Sequence, residues 1–445
     1  MKKYSKIATY TLAMLVLCLA LPACEIDDIP DPNNTTIEDI RENTTVGQLN
    51  NLVVGAESGM RNALGTYYDA VSVIGREIYR FSASDPRFTT DLLGSGSNVL
   101  NNNTFYITNP WSGRYRVIKN LNVLIDILSD NTMVAAGKLT EEQRQGYLGY
   151  AKTIKAHQLL LNLTMTYTNG IRVDVDDPDN LGPVLGRDEA LAAIAGLLDE
   201  AAGHLEQAGD SFLFPLSSGF AGFDTPDTFL QFNRALAARV SVYRGNWEEA
   251  LTNLEASFFD LNGDFDTGVY YVFGTGAGDQ LNPLFYPQNA AGEVRVAHPT
   301  FITDATPGDD RLSKVSERAR AATQRGLSGD YDVFVYKNNT APVPIIRNEE
   351  LILIYAEANI QTGDLEEAAR ALDIIRTRHG LEPYAGPVTE EALIDELLYQ
   401  RRYSLFFEGH RWIDVRRYDR LDELPIDREE DDVWELFPIP FAENV

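Results

Sequence analysis

Six residues recur at one fixed offset, and that repeat confines the chain to a narrow group of folds. Ala238, Gly245, Glu248, Glu249, Ala250 and Leu254 return as Ala356, Gly363, Glu366, Glu367, Ala368 and Leu372, each 118 positions further on. The pattern is that of a tetratricopeptide helix pair, with a small residue, a glycine turn, then alanine and a large apolar residue on the second helix. Small side chains at Ala238 and Ala250 let two antiparallel helices approach closely. Gly245 and Gly363 end the first helix of each pair, because glycine takes the left-handed conformation a helix end needs. Trp247 and Leu365 then open the second. Residues 49–63, 117–128, 147–167, 190–205 and 229–244 also carry apolar residues at three-four spacing. The expected fold is mainly α: a tetratricopeptide-like helix-pair scaffold with large irregular loop insertions and a few short strands. The strands are expected near 270–273 and 333–336. Two stretches rich in Gly, Asn, Ser and Thr, 81–110 and 261–296, read as the long loops, and loops of that length are usually functional or else disordered.

The N-terminus reads as a lipoprotein export signal. Lys2, Lys3 and Lys6 precede an apolar run, and Leu21-Pro22-Ala23-Cys24 resembles a lipobox. The run of about fifteen apolar residues falls short of the roughly 20 that a spanning helix needs. Residues 1–23 are thus expected to be a signal peptide, with Cys24 the lipidated first residue of the mature protein. Several acyl chains make a stable anchor where one is marginal. Residues 24–45 are acidic and rich in Pro and Asn, the composition of a flexible tether. Residues 46–445 are expected to form a single body, with an N-terminal part over about 46–220 and a C-terminal part over about 221–445.

Charge and motif narrow the function further. With 66 acidic against 38 basic residues the formal charge is −28, which disfavours nucleic acid and anionic lipid as partners. Contact with the membrane is therefore expected through the lipid anchor only. Cys18 and Cys24 are the only cysteines, so the mature body has no disulfide. No nucleophile elbow, zinc helix or phosphate loop is present, and neither a cofactor nor a metal is expected. His157, His204, His298, His379 and His410 are scattered singly. Asp260 to Asp266 alternates oxygen ligands like a calcium loop, yet the twelfth position is Tyr271, so it reads as a solvated turn. Glu408-Gly409-His410-Arg411-Trp412-Ile413-Asp414 with Arg417 reads as an ion-pair ladder at three-four spacing, with Glu408 facing Arg411. A glycosidase needs two carboxylates across a sugar bond, and among so many acids the count of pairs carries no information.

Sugar capture asks for aromatic faces and amide, carboxylate or guanidinium partners. The two loop regions hold that mixture, and the candidate ligand-binding residues are Phe81, Asp85, Arg87, Asn101, Tyr106 and Trp111 in the first, and Tyr270, Tyr271, Asn282 and Tyr286 in the second.

An ordered set of motifs supports a more specific reading. It comprises the run from Arg347-Asn348-Glu349-Glu350 to Tyr355-Ala356-Glu357-Ala358, then Gly363-Asp364, Ile375-Arg376-Thr377-Arg378, the Glu408 to Arg417 run, and Phe437-Pro438-Ile439-Pro440 with Glu443. Earlier, Trp111, Tyr115, Ile118 and Asn120 fit in the same order. The set resembles the SusD/RagB family, outer-membrane nutrient-binding lipoproteins of Bacteroidota. The resemblance implies four tetratricopeptide-like helix pairs with the ligand site in irregular loops, and a SusC-like TonB-dependent transporter as partner. It implies a lipid-anchored, cell-surface-facing outer-membrane protein that binds a nutrient, an oligosaccharide first, and has no enzymatic activity. The alternatives are a peptide-binding uptake protein, a surface glycan hydrolase or a pure assembly scaffold.

Overall fold

A computed structural model describes residues 44–443; the expectations for residues 1–43, lipidation of Cys24 included, lie outside them. Helices α1 (Val46–Gly59) and α2 (Leu64–Ile74) lead into strand β1 (Ile78–Ser82). Helices α3 (Phe105–Ile127), α4 (Glu141–Thr166), α5 (Arg187–Leu205), α6 (Pro226–Arg244) and α7 (Trp247–Glu255) follow. Strands β2 (Gly268–Tyr271), β3 (Glu293–Ala297), β4 (Val315–Gln324), β5 (Leu327–Val333) and β6 (Val343–Arg347) come next, and α8 (Asn348–Thr362), α9 (Leu365–Arg378), α10 (Glu390–Ser404) and α11 (Arg411–Arg417) close the chain. The fold is mainly α, and α1 and then α3 to α10 pack each on the next, the stacking of a helical solenoid. Among the described residues no helix is long and apolar enough to cross a membrane.

The sequence repeat occupies two adjacent layers of this stack. Ala238, Ala250, Ala356 and Ala368 are fully buried where α6 meets α7 and α8 meets α9. Gly245 and Gly363 cap α6 and α8 with φ of 73° and 88°, as a left-handed terminus requires. Helix α7 packs directly on α8, so the chain between them, 256–347, leaves the solenoid as an insertion and returns to it. Its two ends are joined by antiparallel β2 and β6, where Gly268 faces Arg347. A Cβ at Gly268 would stand 2.3 Å from the Ile346 carbonyl, so only glycine lets the strands meet there.

Four strands form an antiparallel sheet in the order β1-β3-β5-β4. The hairpin β4–β5 turns through Arg325 and Gly326, both at positive φ (50° and 83°), the conformation of a two-residue turn matched to strand twist. The strand expected near 333–336 lies earlier, ending at Val333, because β5 is set by that hairpin. Helix α3 begins at Phe105, inside the expected loop 81–110, and carries Pro110 in its interior. Burial of Tyr106, Ile107 and Trp111 outweighs the hydrogen bond the proline removes. Helix α2 carries no amphipathic signal because every residue except Thr66 is buried.

Buried ion pairs tie the C-terminal segment to the repeats. Arg401 pairs with Asp414 at 2.7 Å, and Arg417 with Glu357 at 2.8 Å and Asp414 at 3.1 Å. Trp412 donates its indole N–H to the Trp434 carbonyl at 2.7 Å. Glu408 does not face Arg411 as the spacing predicts. Helix α11 starts only at Arg411, so Glu408 lies before it and pairs with Arg347 at 2.9 Å. Arg239 grips Glu350 through two contacts of 2.6 Å. Burial would raise the Glu350 carboxyl, but Arg239 dominates and holds it at about 2.

Glu77, just after α2, is buried and behaves oppositely. One carboxylate oxygen accepts the Phe407 amide at 3.0 Å, and the other has no partner among the described residues. Burial pushes this carboxyl up to about 7, against the lowering effect of the Phe407 amide. The folded state thus keeps a proton that the unfolded chain releases between 4.5 and about 7, and stability falls as pH rises through that window. Glu77→Gln keeps the acceptor and cannot ionise. Urea denaturation should show it more stable than wild type by about 2–3 kcal/mol at pH 8, with the difference nearly gone at pH 5.

Candidate functional site

Strand alternation builds the site. On β1 and β3, Arg80 stands opposite Arg295 and Ser82 opposite Glu293, all four on one face, while Phe81 and Val294 take the other. Two arginines directly across a ladder repel. Here Asp69 of α2 inserts between them, accepting from Arg295 at 2.5 and 2.9 Å and from Arg80 at 3.3 Å. Glu293 adds a second acid, 2.5 Å from Arg80 and 2.7 Å from the Ser82 hydroxyl. Two cations and two carboxylates therefore cancel. Burial alone would raise Glu293, but its Ser82 and Arg80 bonds lower it overall. In the same way Asp69 holds Arg295 fully charged against the effect of burial.

This cluster braces an aromatic ring. The Tyr286 hydroxyl accepts from Arg80 at 2.8 Å, and its ring lies 4.2 Å from the Arg295 guanidinium and 5.0 Å from that of Arg80. Phe88 packs against Arg80 from below at 4.9 Å. Above them opens a cleft of about 360 Å³, with Asn62, Thr66 and Gln280 on its walls and Arg61 at its edge. Arg61 projects from a tight turn in which Ala63 has φ of 53°. Buried Arg114 of α3 holds that turn by donating to the carbonyls of Met60 at 3.3 Å and Asn62 at 3.2 Å.

Arg61 also borders a second cleft, of about 310 Å³, lined by Glu57, Ser217, Phe220, Tyr270 and Tyr271 among others. A third, of about 490 Å³, lies beside Phe81 and Val294 and is walled by the segment 318–324 of β4. The backbone amide of Gln280 lowers the Asp279 carboxyl, and the Arg61 guanidinium at 2.6 Å adds to this. Burial raises that of Glu57 despite hydrogen bonds from Ser217.

The ten candidate residues do not converge. Tyr286 lies in the first cleft, Tyr270 and Tyr271 in the second, and Phe81 in the third. Asp85 caps the turn Pro86–Phe88, and its carboxylate is taken by Arg87 at 2.6 and 2.9 Å. Asn101 donates its amide N–H to the Tyr106 hydroxyl at 2.6 Å, and fully buried Tyr106 donates to Asp91 at 3.0 Å. Trp111 donates to Glu443 at 2.7 Å, fastening α3 to the Pro-Ile-Pro segment. Asn282 is buried, donating to the Ala341 carbonyl and accepting from Leu284, both at 2.7 Å. Arg61, Asp69, Arg80, Gln280 and Arg295 line the first cleft, and sequence reasoning passed over them. For Arg80 and Arg295 the one signal is the alternation of polar and apolar residues in Arg80-Phe81-Ser82 and Glu293-Val294-Arg295, at the edge of one stretch read as loop and inside the other; Arg61, Asp69 and Gln280 carry none.

Removing Asp69 tests the cluster. Asp69→Ala leaves two buried guanidiniums short of acid and should lower unfolding free energy by about 3–5 kcal/mol. Asp69→Asn keeps an acceptor for one of them and should cost less; denaturant titration of both variants checks this.

The SusD family model matches residues 324–443. The fold is similar to that of a SusD superfamily protein from Bacteroides vulgatus, with a TM-score of 0.68 at 18% identity over 89% of this chain and 96% of that one. It is similar also to B. fragilis NanU, with 0.68 at 15% over 93% and 97%. A third likeness is to surface glycan-binding protein A from Bacteroides thetaiotaomicron in complex with laminarihexaose, with 0.67 at 14% over 90% and 97%. No curated protein matches the chain.

Proposed function

We propose, from the premise that the chain belongs to the SusD/RagB family, that it binds a neutral oligosaccharide at the Tyr286 cleft and delivers it to a SusC-like TonB-dependent transporter. The observation that carries this reading is the braced tyrosine. A ring fixed by Arg80 and Arg295 is a platform whose ordering cost is met on folding and not on binding. The ring is half-buried and lines the cleft, so its exposed part is offered to the apolar C–H face of a sugar. Asn62, Thr66 and Gln280 stand around it as donors and acceptors for hydroxyls. Because Arg80, Arg295, Asp69 and Glu293 cancel one another, the local basic cluster offers no net charge to a polyanion, and the acidic body repels one.

Capture without chemistry fits the same geometry. A glycosidase acid must hold a proton near neutral pH; Glu293, the acid beside the Tyr286 ring, is pushed the other way by Ser82 and Arg80, and the raised carboxyl of Glu57 lies in the second cleft, hydrogen-bonded to Ser217. The structural relative that holds laminarihexaose supports the sugar reading by its fold. On the same reading Cys24 carries the lipid anchor, the segment after it spans the distance to the outer membrane, and the helical stack offers the transporter a rigid surface.

A glycan array followed by calorimetric titration of the full protein in detergent tests the proposal. Wild type should bind a neutral glycan, and Tyr286→Ala should weaken it by at least about tenfold while the melting temperature changes little. Glycan turnover, or binding of peptides alone, would refute it.

A further inference from the structure

The second cleft carries a tyrosine of its own. Tyr270 stands half-buried in its wall and Tyr271 forms its floor, with the Tyr271 hydroxyl anchored on His157 at 2.8 Å. Position 219 must be glycine for this wall to form. A Cβ there would lie 2.1 Å from the Tyr270 carbonyl, so the turn Ser218–Phe220 packs flush against β2 only without a side chain. Glu57 and Ser217 supply polar groups beside the ring, and Val54 stands exposed at the mouth.

What separates this cleft from the Tyr286 cleft is slight. Arg61 lines both. So does the small hairpin 274–280, closed by the Gly274 amide donating to the Gln280 carbonyl at 3.0 Å, which presents Asp279 to one cleft and Gln280 to the other. In the Arg61–Asp279 pair that crosses the divide Arg61 is mostly buried and only Asp279 is exposed, so the divide is a low ridge with the guanidinium set into it. The Arg61 guanidinium has five N–H groups. It spends them on the Val272 carbonyl at 2.8 Å, on Asp279 and, weakly, on Ser58 at 3.4 Å. Donors remain for a ligand lying across it.

We infer that the two clefts are successive subsites of one groove, and that its ligand is a linear oligosaccharide long enough to pass over Arg61 from Tyr286 to Tyr270. This rests on the glycan-binding reading of the Tyr286 cleft. Short sugars occupy the Tyr286 subsite alone. Longer ones gain a second stacking contact at Tyr270 and a shared guanidinium between the two.

The test titrates the full protein with laminari-, cello- and malto-oligosaccharides of one to six units. Affinity for the series that binds should rise by about tenfold or more once the chain is long enough to reach Tyr270. Tyr270→Ala should abolish that rise and leave the short sugars bound as in wild type, which also certifies the variant as folded. Val54→Glu, a change at an exposed position at the cleft mouth, should act in the same way. A length series without a rise, or a rise that survives both variants, overturns the second subsite and leaves the Tyr286 reading standing. Failure of every series at every length overturns both.

Discussion

A single carboxylate decides whether the strands of the site can exist. Arg80 and Arg295 face each other across a ladder, and no sheet tolerates that pair buried without a counter-charge. Asp69 supplies it from a different element, so α2, β1 and β3 are locked at one point by one side chain. Tyr286 is fixed at second hand, through the guanidiniums Asp69 holds. A buried ionic cluster of this kind adds little net stability against an apolar replacement. What it contributes here is placement, since a guanidinium gripped from three sides has one position, and the ring lying on it shares that position.

The scaffold was largely legible because its rules are local. Glycine caps and buried alanines repeat at readable spacing, and Gly245, Gly363, Ala250 and Ala368 stand where those rules put them. Elements without local signals were lost. Helix α2 is buried on every side and shows no stripe, and the hairpin β4–β5 alternates polar and small residues at an exposed sheet edge. The site was harder still. Asp85, Asn101, Tyr106 and Asn282 have the chemistry of sugar contacts, but each spends it on its own turn or core. Residue type reveals what a group could bond, whereas the topology reveals what it is already bonding.

The ladder around Glu408, His410 and Asp414 shows the same distinction. Its acid, histidine and arginines match the inventory of a catalytic centre. Burial instead lowers His410 to about 4, so it is neutral, and Arg347, Arg401 and Arg417 are spent on Glu349, Glu408, Asp414 and Glu357. These groups join the last helices to the repeats, and the cleft that Glu408 and His410 line measures only about 30 Å³.

The pairing of β2 with β6 has a consequence for how such a protein changes over time. It closes the segment 256–347 into a loop whose ends are fixed to consecutive layers of the solenoid. The entropy of closing a loop grows only logarithmically with its length, so residues added or lost between the two strands alter that cost very little. Besides the two strands, the stretch 299–314 holds the segment to α10, through Phe301 on Tyr403, Arg311 on Ser404 and Lys314 on the Tyr403 carbonyl. The stretch between β2 and β3, which carries Tyr286 and the 274–280 hairpin, can therefore change in length while the pairing of β2 with β6 keeps its register. Recognition and architecture occupy one chain yet are free to diverge at different rates.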